Sequence, residues 1–173
     1  MGWLSANAFT VSRSVEVLFG FVWLVDASFK FNESFVGAIS VMITQAGQGQ
    51  PQWLGGWFSF WSNATAANPA LFAHIIAAME LLVGVSLVFG IARKLCYGGG
   101  FMLSLFIWAI PEGFGGPYGA GSTDIGTAVI YAFVFVLLAV ISGIHGPDSR
   151  TLDFHIGKRL HWWGRIANVK IGK

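Results

Sequence analysis

Hydrophobic residues in this chain gather into four long runs, about 9–29, 70–90, 95–110 and 125–144, separated by stretches where polar residues and glycine take over. Each run approaches the ~20 apolar residues that cross a bilayer core as a helix. Between the first two, Ser34 to Ala46 carries Phe35, Ile39 and Met42 at helical spacing. About a dozen residues is too short to span, so a helix lying along the membrane interface is expected there. Trp53, Trp57 and Trp61 follow, each four apart, and on a helix they would form one stripe at headgroup depth. Gly55 and Gly56 weaken the case for a helix at that point. The stripe reads either as an interfacial aromatic belt or as a wall for a quinone or another flat ligand. The whole pattern predicts an all-α, integral membrane four-helix bundle with short extracytoplasmic interfacial helices. We expect one domain over 1–173, ending in a basic tail over 145–173.

Composition supports the membrane reading: 55% of the 173 residues are hydrophobic, 10% are charged and the mean hydropathy is +0.66, outside the range of soluble domains. The first run contains Arg13, Glu16 and Asp26 and has no basic segment before it, so it reads as a retained helix rather than a cleavable signal. Charge is unevenly distributed. Arg13, Arg93, Lys94 and the six Lys and Arg residues from Arg150 to Lys173 fall on one side of the predicted spans, and only Lys30 falls on the other. The positive-inside rule then predicts a multi-pass plasma-membrane protein with both termini cytoplasmic. A basic tail of this kind is commonly a membrane-surface anchor. The single cysteine, Cys96, excludes an internal disulfide, a CxxC pair and an iron-sulfur cluster ligated within the chain. No histidine spacing matches a metal site, so no metal or covalently bound cofactor is expected.

Ionisable groups within the runs need a partner or a task, because insertion of a charge at the bilayer centre costs roughly 2.5 to 3.5 kcal/mol. Arg13 and Glu16 are three apart and Asp26 and Lys30 four apart, so each pair can meet on one helical face. Glu80 has no basic residue within a turn and must reach another helix or stay protonated. Arg13, Glu16 and Glu80 together read as a structural ion network or as carriers on a proton path.

The most specific stretch runs from Pro111 through Glu112, Tyr118 and Asp124 to Thr127 and is rich in glycine. Ser122, Thr123 or Asp124 is suited to cap the fourth helix, as Asn68 with Pro69 is for the second. Those helix N-termini can also attract a small anion.

The segment Trp108-Ala109-Ile110-Pro111-Glu112-Gly113-Phe114-Gly115-Gly116-Pro117-Tyr118, continuing through Asp124-Ile125-Gly126 and Tyr131, resembles the DoxD family. DoxD is the small membrane subunit of thiosulfate:quinone oxidoreductase, within the wider DoxX-like group. Arg13 with the Gly20 to Phe31 stretch, and Glu80 with Gly84 and Phe89-Gly90-Ile91-Ala92-Arg93, add to the likeness. The resemblance implies oxidation of thiosulfate to tetrathionate, a membrane quinone as co-substrate, and a DoxA-like second subunit. On that reading Glu112, Asp124 and Glu80 handle protons, Trp108, Tyr118 and Lys30 hold quinone or substrate, and Arg13 and Glu16 form a structural pair. The alternative is a non-catalytic accessory or assembly subunit of a larger respiratory or other membrane complex. The expected partners are lipid, quinone and one of those assemblies, and not nucleic acid.

Overall fold

The computed structural model describes residues 3–119, 122 and 124–169, without the side chains of residues 3–6 and 8. Thr123, Lys170 and Lys173, named above as a cap and as tail cations, lie outside the described residues. Eight α-helices and no strand occur among the described residues: α1 Trp3–Lys30, α2 Glu33–Ala46, α3 Gly55–Ala67, α4 Pro69–Phe89, α5 Arg93–Ala109, α6 Thr127–His145, α7 Leu152–Arg159 and α8 Gly164–Ala167. The four apolar runs correspond to α1, α4, α5 and α6.

Local chemistry explains several of these boundaries. Asn32 precedes α2 and its Oδ1 accepts the Ser34 amide at 3.0 Å, with Glu33 in the first turn. Asn68 Oδ1 likewise accepts the Leu71 amide at 3.1 Å, with Pro69 as the first helical residue of α4. The tryptophan segment departs from expectation. Gly55 and Gly56, which weaken a helix, open α3, where the first turn has no intrahelical amide bonds to lose. Trp53 falls in the preceding 3-10 turn, Gln52–Leu54, and is 80% exposed, whereas Trp57 and Trp61 pack against buried residues. The three indoles therefore do not share one environment.

The chain forms two compact units, one of residues 1–26, 80–100 and 134–173, the other of residues 27–79 and 101–133. In the first, Phe19 and Trp23 of α1 close on Phe135 of α6, with ring centroids 5.1 and 5.7 Å from it. Helices α1 and α4 touch through glycine. A Cβ on Gly20 would lie 2.9 Å from that of Leu87 and 3.0 Å from the Gly84 carbonyl, and one on Gly84 would lie 3.0 Å from the Gly20 carbonyl. In the second unit Ile39 and Ile43 of α2, Leu54, Phe58 of α3, Ala73 of α4 and Ile110 form the core.

Helices α4 and α6 are long and apolar enough to cross a membrane, with mean hydropathies of 2.2 and 2.5 over their best 18 residues. Only 33% and 22% of those windows are buried within the protein, unlike a soluble core helix, which is covered all round. Helix α1 is longer but carries Arg13, Glu16, Asp26 and Lys30, and α5 has 17 residues, including Gly98, Gly99 and Gly100.

Candidate functional site

In the second unit the stretch after α5 folds back on itself and builds a cluster from its own residues. Trp108 Nε1 donates to the Ile125 carbonyl at 2.7 Å. The Ala128 amide, at the start of α6, donates to both Glu112 carboxylate oxygens at 3.0 and 3.2 Å. A carboxylate there satisfies an otherwise free helical amide and faces the positive end of the helix dipole. Gly126 lies between the two side chains at φ +90°, where a Cβ would fall 2.7 Å from Glu112 Oε2 and 2.8 Å from Trp108 Cδ1. Only glycine fits that conformation and that gap.

Phe114 occupies the middle of the 3-10 turn Gly113–Gly115 at φ +59°. Its ring stands 5.3 Å from Trp108, 6.3 Å from Trp57 and 6.4 Å from Phe58. From α3, Trp57 Nε1 donates to the Ala109 carbonyl at 3.0 Å, and Gln50 Nε2 donates to the Gly113 carbonyl at 2.7 Å. Trp61 stacks edge-on against Trp57 at 5.7 Å, and its buried Nε1 has no hydrogen-bond acceptor among the described residues. A buried indole N–H left in this way costs about 1–3 kcal/mol.

The structure therefore brings Trp108 and Glu112 together, and it ties Tyr118 to them through the Phe114 carbonyl, which the Tyr118 hydroxyl donates to. Asp124 Oδ1 accepts the Gly126 amide at 2.7 Å. Ser122 Oγ donates to the Pro117 carbonyl and accepts the Gly119 amide, so it stays within the loop. The cap on α6 itself thus comes from Glu112, whose side chain reaches across the loop. This changes the expectation of an anion site at that helix end, since a dianion there would meet a carboxylate. Lys30 lies elsewhere in the unit, its ammonium 5.8 Å from the centre of the Phe35 ring.

The first unit holds the remaining charged residues of interest. Arg13 donates to Glu16 at 2.6 Å and also to the carbonyls of Leu87 and Val88, at 2.8 and 2.5 Å, in the last turn of α4. Tyr97 of α5 donates its hydroxyl to the second Glu16 oxygen at 2.8 Å. Glu16 is 3% exposed and Glu80 fully buried. Glu80 precedes Leu87 by two helical turns, roughly 10 Å along the axis, so Arg13 is anchored well away from it along α4. A cavity of about 20 Å³ lies beside Glu16, Arg93, Tyr97 and His145, room for about one water molecule.

Asp153, in the tail, is 4% exposed and accepts four hydrogen bonds: from the amides of Ala92 and Arg93 at 2.7 and 3.0 Å, from Arg93 Nε at 3.4 Å and from Trp163 Nε1 at 2.7 Å. It both caps α5 and fastens the tail. Asp148 pairs with Arg150 at 2.9 Å. Burial opposes its ionisation, but hydrogen bonds from the Arg150 side chain and amide, with the guanidinium charge, hold the carboxyl below the usual range. Tyr97, Arg93, Asp153 and Phe114 carry no local sequence signal, because each acts on residues distant in the chain or through a backbone turn.

No protein-family model matches this chain, and comparison with curated proteins and with solved structures finds no match.

Proposed function

We propose that this chain is a multi-pass membrane protein spanning four times through α1, α4, α5 and α6, with α2 and α3 at the outer interface. The exposed apolar faces of all four helices support this: Leu18, Leu82, Phe106, Phe133 and Leu137 are each 47% exposed or more and need lipid to cover them. Along the sequence only Lys30 falls on the outer side of the proposed spans, while Arg13, Arg93, Lys94 and the tail cations fall on the other. This asymmetry supports cytoplasmic termini in a plasma membrane.

Within that frame the chain is the quinone-handling membrane subunit of a thiosulfate:quinone oxidoreductase, resembling DoxD. The observation that carries this reading is the aromatic cluster of Trp57, Trp61, Trp108 and Phe114, in which Trp61 Nε1 has no acceptor among the described residues. A quinone headgroup has flat apolar faces and a carbonyl that would accept that N–H. Two thiosulfates joined as tetrathionate release two electrons, and one quinone takes up both with two protons. Glu112 and Asp124, on the loop that carries Trp108 and Phe114, are the carboxyl groups we assign to proton exchange there. Because Glu112 already faces the α6 N-terminus, thiosulfate binding falls to a DoxA-like partner that supplies cations.

One observation favours the accessory reading: the polar tips of Trp108, Tyr118 and Asp124 are all engaged by loop backbone. The deciding experiment is to purify the chain with its native partners and assay thiosulfate-dependent reduction of a quinone analogue, using Trp61→Phe as the probe. A raised KM for quinone at unchanged protein amount supports the proposal. An active complex indifferent to Trp61→Phe places the quinone elsewhere, and a complex with no such activity leaves the chain as an accessory subunit.

A further inference from the structure

Beyond α6 the described chain contains two acids, Asp148 and Asp153, both buried; Asp153 pairs with the buried Arg93 and Asp148 is neutralised by its neighbour Arg150. The cations of the same stretch point the other way. Lys158, Arg159 and Arg165 are exposed, and Lys94 joins them by donating to the Arg165 carbonyl at 3.3 Å. The outward charge of this surface is therefore of one sign. Apolar side chains are interleaved with it: Leu152, Leu160 and Trp162 are 41%, 42% and 54% exposed. The adjacent tryptophans divide in role, since Trp163 bonds the buried Asp153 while Trp162 is turned outward.

The position of this surface is set by the two most apolar helices. The Asp153 amide donates to the Gly90 carbonyl at 2.9 Å, just past the end of α4, and α7 begins a few residues after α6 ends. If α4 and α6 span the membrane, this rigidly held segment lies at the headgroup level of the inner leaflet. Cations beside exposed leucine and tryptophan at that depth match a phosphate layer over acyl chains.

We propose that residues 152–165, with Lys94, form a binding surface for anionic phospholipid headgroups of the inner leaflet. Lys158, Arg159 and Arg165 meet the phosphates, and Leu160 and Trp162 enter the acyl boundary. This inference rests on the spanning reading. It does not depend on the thiosulfate and quinone assignment.

The test titrates the detergent-purified full chain with short-chain phosphatidylglycerol and with phosphatidylcholine, alongside the triple variant Lys158→Gln, Arg159→Gln, Arg165→Gln. Each juxtamembrane cation contributes about fivefold in affinity for an anionic surface. The native chain should then bind phosphatidylglycerol on the order of a hundredfold more tightly than the triple variant, with the difference shrinking in salt and phosphatidylcholine binding equal for both. Equal phosphatidylglycerol affinity in the two proteins would overturn the proposal, as would a polyglutamate peptide binding the native chain as tightly as the lipid does. Failure of both proteins to insert into phosphatidylcholine vesicles would instead overturn the spanning reading.

Discussion

The carboxylate of Glu112 grips the amide of Ala128, sixteen residues further on, with both oxygens, so the end of the third long helix sets the start of the fourth. Removing that acceptor with Glu112→Ala should lower stability by about 1–2 kcal/mol, the usual cost of a lost N-cap. Glu112→Gln keeps an acceptor and should lose less. Thermal unfolding in detergent separates the two. If Glu112 also exchanges protons with quinone, Glu112→Gln will cut turnover sharply while the amount of assembled protein stays normal.

Gly126 tests the same knot from the other side. Gly126→Ala introduces a Cβ into the space held by Glu112 and Trp108, at a φ of +90° that alanine rarely adopts. We expect a loss of more than about 1 kcal/mol and a weaker Trp108 to Ile125 contact. An alanine variant as stable as the native chain would show that the loop can open without cost.

The Arg13 network makes a third case. Arg13→Leu strands a buried Glu16 and two carbonyls in the last turn of α4, which should cost about 3–5 kcal/mol. Adding Glu16→Gln should recover part of that loss, because the stranded charge disappears. If the double variant loses the plain sum of the two single effects, the residues are not energetically coupled.

Topology can be read with thiol labels in a Cys96→Ala background. Gln48→Cys, in the exposed turn after α2, should react with an impermeant reagent added outside intact cells, and Ser149→Cys, in the exposed stretch after α6, should not. The opposite labelling pattern would reverse the orientation.

The helices were largely legible in the sequence because their signals are local: apolar runs, the helical spacing of Phe35, Ile39 and Met42, and the Asn68-Pro69 start. The glycine loop was legible as a special structure, yet its inner bonding was not. Glu112 reads as a free outer acid until the fold brings Ala128 to it. Asp153 was harder still, for its partners at Ala92 and Arg93 lie about sixty residues away. Pair formation at that range depends on where helices end in space, and no periodicity encodes it. The same holds for Tyr97 and Glu16, which share no segment of chain.

The glycine contact between α1 and α4 bears on how this protein can change over time. Positions such as Leu18, Leu82 and Phe133 face outward and can exchange freely among apolar residues, since a fluid tail fits any of them. Gly20 and Gly84 cannot, because a Cβ on either would fall 3.0 Å from the other's carbonyl oxygen and closer still to side-chain atoms of Val88 or Leu24. Substitutions will therefore accumulate where the chain looks most uniformly hydrophobic and stop abruptly at a few small residues. Distant relatives should be recognisable by the spacing of those small residues along the seam, long after the greasy positions around them have drifted beyond alignment.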